Sequence, residues 1–325
     1  MHSTQLLGVI LTSCLATISV STHAQDWPVK PVRIVNPFPA GGGTDTFARP
    51  LAAKLTQALG QQFIIENQGG AGGTLGAANA AKAAPDGYTL FMGAVHHTIA
   101  ESLYAKLPYR LERDFTPVTL IASVPQVIVM HPKHGSIKTL SDLLAFAKAH
   151  PGKLNFGSAG NGTAHHLAGE LFKTMTGVDL VHVPYKGAGP LMVDLLAGQV
   201  DMAFDGMGTS SNQIRAGKLV ALAVAANART SVFPNLPTAS EASVPGYEVT
   251  TWYAMWALAG TPKGVVDRLY AEIAKALQQP DIKDIWASQV ATAGGQPPAQ
   301  FSKFVHQEIA KWAKVVKDSG AKIDN

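Results

Sequence analysis

The 325-residue chain lacks several features that would assign it to a common structural class. Its only cysteine is Cys14, so it cannot form an intramolecular disulfide bond. Charged residues make up 15% of the chain, the net charge is +4, and no lysine or arginine block stands out. This balance excludes a disordered chain and makes nucleic acid a poor partner. No strict glycine period or sustained heptad is present, which excludes collagen-like and coiled-coil classes.

Catalytic and cofactor motifs are also absent. There is no G-x-x-x-x-G-K-[ST] motif, no G-x-G-x-x-G motif and no H-E-x-x-H motif. Ser158 is not part of a G-x-S-x-G motif, because residue 156 is Phe. The pairs His96-His97 and His165-His166 are poor chelates, since adjacent residues on a helix point in different directions. We therefore expect no cofactor, no metal and no catalytic activity.

The N-terminal segment has the pattern of a secretory signal. Leu6–Val20 is apolar but shorter than the roughly 20 residues of a membrane-spanning helix. Thr22-His23-Ala24 is a small-x-small pattern that predicts cleavage after Ala24, giving a signal peptide over 1–24. An alternative is a lipoprotein box ending at Cys14, with that cysteine lipidated. Apolar residues continue after Cys14 where a polar tether would be expected, so we favour cleavage after Ala24.

Short apolar runs alternate with helical patterns along the rest of the chain, which predicts an α/β fold with parallel-rich sheets flanked by helices. Thr139 and Asp142 form a capping box for one helix, and Thr261 with Pro262 predicts the start of another. The last helix has Phe301, Val305, Ile309, Trp312 and Val316 on one face. The predicted strands are Val32–Val35, Phe63–Ile65, Tyr88–Met92, Val127–Met130, Leu154–Phe156, Val181–Val183, Met202–Phe204 and Val220–Val224.

Two breaks in the pattern predict two domains. One lies near Pro125 and the other near Pro245-Gly246. We expect a discontinuous lobe 1 formed by 25–125 plus 247–325, and a lobe 2 formed by 126–246. Two lobes joined by two crossing segments form a cleft, which is where ligands usually bind.

Three glycine-rich turns follow predicted strands and precede helices: Pro37–Asp45, Gly157–Thr163 and Tyr185–Pro190. Glycine lets the backbone approach a ligand, and a helix N-terminus adds about half a positive charge. The combination favours an anion, most simply a carboxylate. The residues alone leave open that these segments are only strand-to-helix turns, which are common in any α/β fold.

Single residues near the turns have two interpretations each. Asp45 and Asp205 follow strands, where they could cap a helix or accept a hydrogen bond from a ligand. Lys186 is a surface residue by default but could pair with a second carboxylate. Three aromatic residues on the return crossing are predicted to belong to the core rather than to a ligand wall: Trp252, Tyr253 and Trp256.

An ordered series of motifs covers essentially all of 27–325. It comprises Trp27-Pro-x-Lys-Pro, Pro37-Phe-Pro-Ala-Gly-Gly-Gly-Thr-Asp45, Glu66-Asn67 with Gly70-Ala-Gly-Gly73, Pro85-Asp-Gly-Tyr-Thr-Leu90, Asp114-Phe-Thr-Pro-Val118, Gly157-Ser-Ala-Gly-x-Gly-Thr163, His182-Val-Pro-Tyr-Lys-Gly187, Gly198-Gln-Val-Asp201, Pro237-Thr238 with Glu241, and Gly260-Thr-Pro262. With these motifs the chain resembles the Bug family, the extracytoplasmic solute-binding proteins of tripartite tricarboxylate transporters.

The resemblance implies a two-lobed, type II-like periplasmic-binding-protein fold that closes over a small organic acid. The acid would be a di- or tricarboxylate or an aromatic acid, and a periplasmic monomer would deliver it to the permease subunits of the transporter. A role in ligand sensing for a signalling receptor is the alternative. The ligand-binding residues that we predict are Phe38, Ala40, Gly41, Gly42, Gly43, Thr44, Asp45, His97, Ser158, Ala159, Gly160, Gly162, Thr163, Tyr185, Lys186 and Asp205.

Overall fold

The computed structural model describes residues 27–319, so the predicted signal peptide and Cys14 lie outside the described residues. The strands are β1 Val32–Asn36, β2 Phe63–Asn67, β3 Thr89–Ala94, β4 Phe115–Met130, β5 Asn155–Ser158, β6 Val181–Pro184, β7 Met202–Gly206, β8 Val220–Ala225, β9 Thr250–Leu258 and β10 Thr292–Ala293. The helices are α1 Gly43–Leu59, α2 Thr74–Ala80, α3 Val95–Leu103, α4 Leu111–Asp114, α5 Leu140–Ala149, α6 Ala164–Thr176, α7 Ala188–Leu196, α8 Met207–Arg215, α9 Lys263–Ala276, α10 Pro280–Ser288 and α11 Pro298–Ser319. Strands and helices alternate along most of the described chain, except that β8 is followed directly by β9 and that α3 and α4, and α9 and α10, are consecutive helices.

The strands form two sheet regions that share one long strand. The order is β2-β1-β3-β9-β4-β7-β5-β6, and β8 and β10 also pair with β4. We call the region with β1, β2, β3, β9 and β10 the first lobe, and the region with β5, β6, β7 and β8 the second lobe. The parallel pairs β1–β2, β1–β3, β5–β6 and β5–β7 place the ends of several strands at one edge of each lobe.

Strand β4 runs from one lobe into the other. Up to Pro125 it pairs with β9, and from Gln126 onward it pairs with β7 and β8. The sequence predicted only Val127–Met130 as strand, because Pro117 and Pro125 argue against a strand in the middle of a sheet. The structure accommodates Pro117 beside a register shift and Pro125 at the change of partner strand. The predicted domain boundaries themselves stay a prediction.

Each lobe has its own hydrophobic core beside its part of the sheet. Helices α1, α9 and α10 pack on the first lobe, α9 through Val266, Leu269 and Ile273, and the face predicted for α11 packs into the same lobe. The second lobe buries Leu140 and Leu143 of α5, whose predicted capping box by Thr139 and Asp142 is confirmed. The predicted cap of α9 is wrong: the N-cap is Pro262, and the hydroxyl of Thr261 is buried without a partner.

Among the helices within residues 27–319, none is both long enough and apolar enough to cross a bilayer.

Candidate functional site

A narrow cavity lies between the two lobes, where the N-terminal turns of four helices meet. The first lobe contributes the first turns of α1 and α3, and the second lobe contributes the beginnings of α6 and α7. The volume of the cavity is about 10 Å³, which is room for roughly one water molecule. Its nine lining residues are Phe38, Gly42, Gly43, Thr44, His96, Ala159, His165, Ala188 and Tyr253. Five of the predicted site residues therefore line one cavity: Phe38, Gly42, Gly43, Thr44 and Ala159.

The bend of the first lobe, residues 37–45, leads from β1 into α1. Position 43 has to be glycine because Tyr253 lies so close to the backbone there that a Cβ atom would overlap its hydroxyl oxygen. The first-turn N–H groups of α1, including those of Gly43 and Thr44, have no acceptor within the helix, as at any helix start. They lie at the positive end of the helix dipole. The bend thus places backbone donors at the wall of the cavity.

Asp45 holds this bend in place. Its carboxylate accepts hydrogen bonds from the Gly41 N–H at 3.0 Å, Arg49 Nε at 2.8 Å, Asn67 Nδ2 at 3.2 Å and Asn36 Nδ2 at 3.3 Å. Burial acts to raise the pKa of Asp45, but these donors outweigh it and hold the pKa below its ordinary value. Since four donors already engage both oxygens, the structure gives Asp45 the anchoring role rather than a free position for a ligand.

The bend of the second lobe, residues 158–163, bonds largely with itself. The Gly160 N–H donates to Ser158 Oγ at 3.1 Å, and the Gly162 N–H donates to His166 Nδ1 at 3.2 Å. Thr163 caps α6 and donates its hydroxyl to the Gly160 carbonyl at 2.7 Å. Of the predicted residues in this bend, only Ala159 lines the cavity. The other backbone donors are engaged locally, so they shape the bend.

Ser158 lies behind the bend and is fully buried. Its Oγ is 2.7 Å from His182 Nε2, and the His182 ring stacks on the His166 ring with centroids 4.1 Å apart. Burial lowers the pKa of His182 to about 3, so this imidazole is neutral at ordinary pH. The pair does not line the cavity. Ser158 therefore supports the loop from behind.

His96 joins the two lobes. Its Nδ1 accepts the N–H of Ala164, the first residue of α6, at 2.9 Å. Burial, together with the nearby His165 and His97, holds the pKa of His96 well below its ordinary value. The ring is therefore neutral, and because Nδ1 is an acceptor, its proton is on Nε2. His96 lines the cavity and presents a neutral imidazole to it.

The predicted site residue His97 lies on the other side of α3. It is fully buried, its Nδ1 accepts the Ala94 N–H at 3.0 Å, and its Nε2 lies 3.4 Å from the Gly73 carbonyl. Burial lowers its pKa to about 4. Of the two adjacent histidines only His96 lines the cavity, because neighbouring helical side chains face different directions, and a ligand contact of His97 stays a prediction.

His165 and Thr44 each bring an unpartnered polar atom to the cavity. His165 Nδ1 and Thr44 Oγ1 are both buried, and neither has a hydrogen-bond partner in the structure. They come from opposite lobes, since Thr44 belongs to α1 and His165 to α6. A buried polar atom without a partner is costly, which makes both atoms candidates for ligand contacts.

The predicted residue Asp205 lies behind His165 and does not line the cavity. It is fully buried at the end of β7, and its Oδ1 is 3.2 Å from His165 Nε2. Its Oδ2 accepts the hydroxyls of Ser210, at 2.6 Å, and Thr209. Asp205 thus holds His165 in position rather than facing the ligand space.

Tyr253 was predicted to belong to the core, and in the structure it is both a core residue and a lining residue of the cavity. It is only 3% exposed and stacks near Phe47, yet it also lines the cavity. Burial raises its pKa strongly and the charge of Asp205 adds to this, so its hydroxyl keeps its proton. Trp252 and Trp256, in contrast, lie in the core of the first lobe.

The remaining predicted residues lie around the rim. Ala40 and Gly41 are exposed and lie against Gly189 of α7, where an added Cβ would overlap the Ala40 carbonyl oxygen. Tyr185 donates its hydroxyl to Asp194 at 2.8 Å, and Lys186 is exposed. Neither lines the cavity.

Sequence reasoning missed His96, His165, Ala188 and Tyr253 as lining residues. The signal for Ala188 was available, because it lies in the third glycine-rich turn. Within residues 27–319, no group of three or more His, Cys, Asp or Glu residues is arranged to hold a metal ion.

The chain was compared with known proteins. Residues 47–321 match the model of the tripartite tricarboxylate transporter family receptor, TctC. Protein BugT of Bordetella pertussis is 38% identical over 326 residues, which cover 99% of this chain and 100% of that protein. The TctC family consists of receptors, and the resemblance stated from the motifs is confirmed.

Solved structures agree in fold. The periplasmic binding protein BugD is 36% identical with a TM-score of 0.88, covering 91% of this chain and 99% of that chain. Rpa4515 of R. palustris, solved with adipate, is 37% identical with a TM-score of 0.88, covering 91% and 100%. MatC of Rhodopseudomonas palustris, with bound malate, is 38% identical with a TM-score of 0.84, covering 89% and 100%.

These matches confirm the predicted α/β periplasmic-binding-protein fold and the prediction of a binding protein rather than an enzyme. The family model covers most of the chain, and BugT aligns with nearly all of it. The chain belongs to the TctC family, the receptors of tripartite tricarboxylate transporters.

Proposed function

We propose that this protein captures a small carboxylate in the cavity between its lobes and delivers it to the permease subunits of a tripartite tricarboxylate transporter. The observation that carries this proposal is the composition of the cavity wall. Four helix N-termini and two unpartnered buried polar atoms meet there, and none of the nine lining residues has a carboxylate side chain.

The electrostatics of the wall favour an anion. Each helix N-terminus contributes about half a positive charge, and the first turn of α1 also contributes N–H donors without an acceptor in the helix. Hydrogen bonds to a charged group contribute roughly 1.5–3 kcal/mol each. Three or four such bonds, less the cost of ordering, are sufficient for micromolar affinity, which corresponds to about −8 kcal/mol.

The relatives support the same class of ligand. Rpa4515 was solved with adipate and MatC with malate, and both are more than one third identical to this chain. The cavity of this chain has a volume of only about 10 Å³, room for roughly one water molecule, so the lobes have to separate before an acid can enter.

The cellular setting is part of the proposal. The signal pattern with cleavage after Ala24 directs the chain to the periplasm, and BugD is a periplasmic binding protein. We propose that the mature protein is a monomer whose two lobes close over the acid at two crossings, one at Pro125 within β4 and one just before Thr250, where β9 begins.

A panel of organic acids tests this proposal. The protein, purified from the periplasm, is heated with malate, adipate, citrate, glutamate or phthalate, and the melting temperature Tm is recorded. A ligand that binds only the folded state adds about 2.7 kcal/mol of stability at one hundred times its Kd, so at least one acid should raise Tm. Calorimetry then measures the Kd.

Two controls accompany the panel. Adipamide, the neutral diamide of adipate, should give no shift, because it carries no charge for the helix termini. The variant Thr139→Ala loses the N-cap of α5, away from the cavity, so its Tm falls while the ligand-induced shift remains. A panel in which no anion changes Tm or produces a calorimetric signal contradicts the proposal.

A further inference from the structure

The side chain of His96 crosses the cleft between the two lobes. It belongs to α3 of the first lobe, and its Nδ1 lies 2.9 Å from the backbone nitrogen of Ala164, the first residue of α6 in the second lobe. Because a backbone N–H can only donate, Nδ1 is the acceptor of this bond. The ring is 4% exposed and packs edge-on against Phe38, with 5.3 Å between the ring centroids. The bond therefore joins the lobes within the wall of the cavity.

The two lobes are in close contact around this bond. A Cβ atom added to Gly187 would lie 2.9 Å from Cδ of Pro39, and one added to Gly72 would lie 2.8 Å from the carbonyl oxygen of Asn161. The cavity that remains has a volume of about 10 Å³, which is room for roughly one water molecule. An organic acid is several times larger than water and does not fit beside the His96 ring. Its entry requires the lobes to separate, which breaks the bond from His96 to α6.

The donor that His96 occupies is one that a carboxylate can use. The first N–H of a helix has no acceptor within the helix and lies at the positive end of the helix dipole. The N-cap hydroxyl of Thr163 accepts a different N–H of the first turn, so that of Ala164 is left to His96. Two buried polar atoms without a partner, Thr44 Oγ1 and His165 Nδ1, belong to residues that line the same cavity. An imidazole nitrogen thus lies where a carboxylate oxygen could accept a hydrogen bond.

We propose that His96 is an internal competitor of the ligand. Bonded to Ala164, it holds the lobes together over a cavity that has no room for an acid, and the acid binds by taking the Ala164 N–H from it. The free energy of the His96 bond is therefore subtracted from the binding free energy of every acid. This inference rests on the proposed function and adds to it the residue that limits the affinity.

Two variants of nearly the same shape separate the hydrogen bond from the bulk of the ring. His96→Asn places an amide oxygen near the position of Nδ1 and can still accept the Ala164 N–H, whereas His96→Leu has the same branching but no acceptor. Malate, adipate, citrate, glutamate and phthalate are titrated into both variants and the wild type by calorimetry. We expect His96→Leu to bind about fivefold more tightly than His96→Asn, the effect of removing one competing hydrogen bond.

Small-angle X-ray scattering measures the separation of the lobes without any acid. The wild type and His96→Asn should have the same radius of gyration, and His96→Leu should have a larger one, because its lobes are no longer joined by this bond. His150→Leu, at the exposed end of α5, is the matched control and should change neither Kd nor the radius of gyration. If His96→Leu does not fold, His96→Ala, which also lacks an acceptor, replaces it in both measurements.

Each result decides the inference. Tighter binding and a larger radius of gyration in His96→Leu support it, and so does an acid that binds to His96→Leu alone. If His96→Leu binds an acid no more tightly than His96→Asn does, or if its radius of gyration is unchanged, the inference is overturned and the proposed function remains intact. Absence of binding by every acid to every variant overturns the proposed function and this inference together.

Discussion

The bends of the two lobes look alike in sequence but are built differently. In the first lobe, Asp45 gathers donors from Gly41, Asn36, Asn67 and Arg49, which leaves the beginning of α1 directed at the cavity. In the second lobe, the bend uses its own hydroxyl and imidazole acceptors to satisfy its backbone.

Because of this difference, the two lobes place different chemical groups at the cavity wall. The first lobe presents backbone donors and the Thr44 hydroxyl, whereas the second lobe presents the side chain of His165 and the start of α7. The comparison shows that a glycine-rich bend can either leave its amides without an acceptor at the cavity wall or use them to hold its own shape. Side-chain acceptors near the bend decide between these outcomes.

The largest effect is expected from a substitution between the lobes. In Gly189→Ala the new Cβ overlaps the Ala40 carbonyl across the cleft, so closure is hindered. Overpacking typically costs about 1–3 kcal/mol, and we expect Kd to rise by up to about 100-fold while the Tm of the free protein changes little.

Calorimetry measures this Kd, and Gly135→Ala is the control, because a Cβ at Gly135 has no atom within 4 Å. An unchanged Kd in Gly189→Ala would mean that the lobes do not need this approach to hold a ligand.

The second prediction compares Asp45 and Ser158, the side chains that accept backbone N–H groups in the two bends. Asp45→Ala leaves three or more donors of the first bend without an acceptor, and we expect about 3 kcal/mol of lost stability. Ser158→Ala removes one acceptor and one contact to His182, and we expect about 1–2 kcal/mol. Urea denaturation measures both values, and a larger loss for Ser158→Ala would reverse the comparison.

The third prediction separates binding from folding. Thr44→Val removes a buried hydroxyl that has no partner, so stability should stay equal or rise, while Kd should rise about tenfold for one lost hydrogen bond. Thr163→Val removes the cap of α6 and should lower stability by about 1 kcal/mol. If Thr44→Val destabilises the free protein, its hydroxyl has a structural role instead.

The last prediction concerns pH. His182 in the second lobe has a pKa of about 3, against an ordinary value of 6.5, and His97 in the first lobe has a pKa of about 4. Both are neutral when folded and protonated when unfolded below pH 6.5, so their contribution to stability is present above pH 6.5 and is lost as the pH falls towards their folded values.

We therefore expect the stability difference between the wild type and His182→Gln to be constant above pH 6.5 and to shrink between pH 6.5 and 3. For His97→Gln the same loss should be complete near pH 4. Urea denaturation at intervals of one pH unit checks this, and a difference that does not change with pH would contradict it.

Much of the fold could be predicted from the sequence because local patterns agree with it. The strands β1, β2, β6, β7 and β8 and the helix faces of α9 and α11 coincide with apolar runs and 3.6-residue periodicity. The first half of β4 could not be predicted, since Pro117 and Pro125 are signals against a strand. Only the partner strands show where a proline can be accommodated.

For the candidate site, the sequence by itself determined which segments bend and begin helices, because glycine and helix-capping residues act over a few neighbours. Phe38, Gly42, Gly43, Thr44 and Ala159 were found in this way. The tertiary structure decided which amides stay available, which member of the His96-His97 pair faces the cavity, and that Asp205 supports His165 from behind. These features depend on contacts between residues far apart in the chain, and no local pattern encodes them.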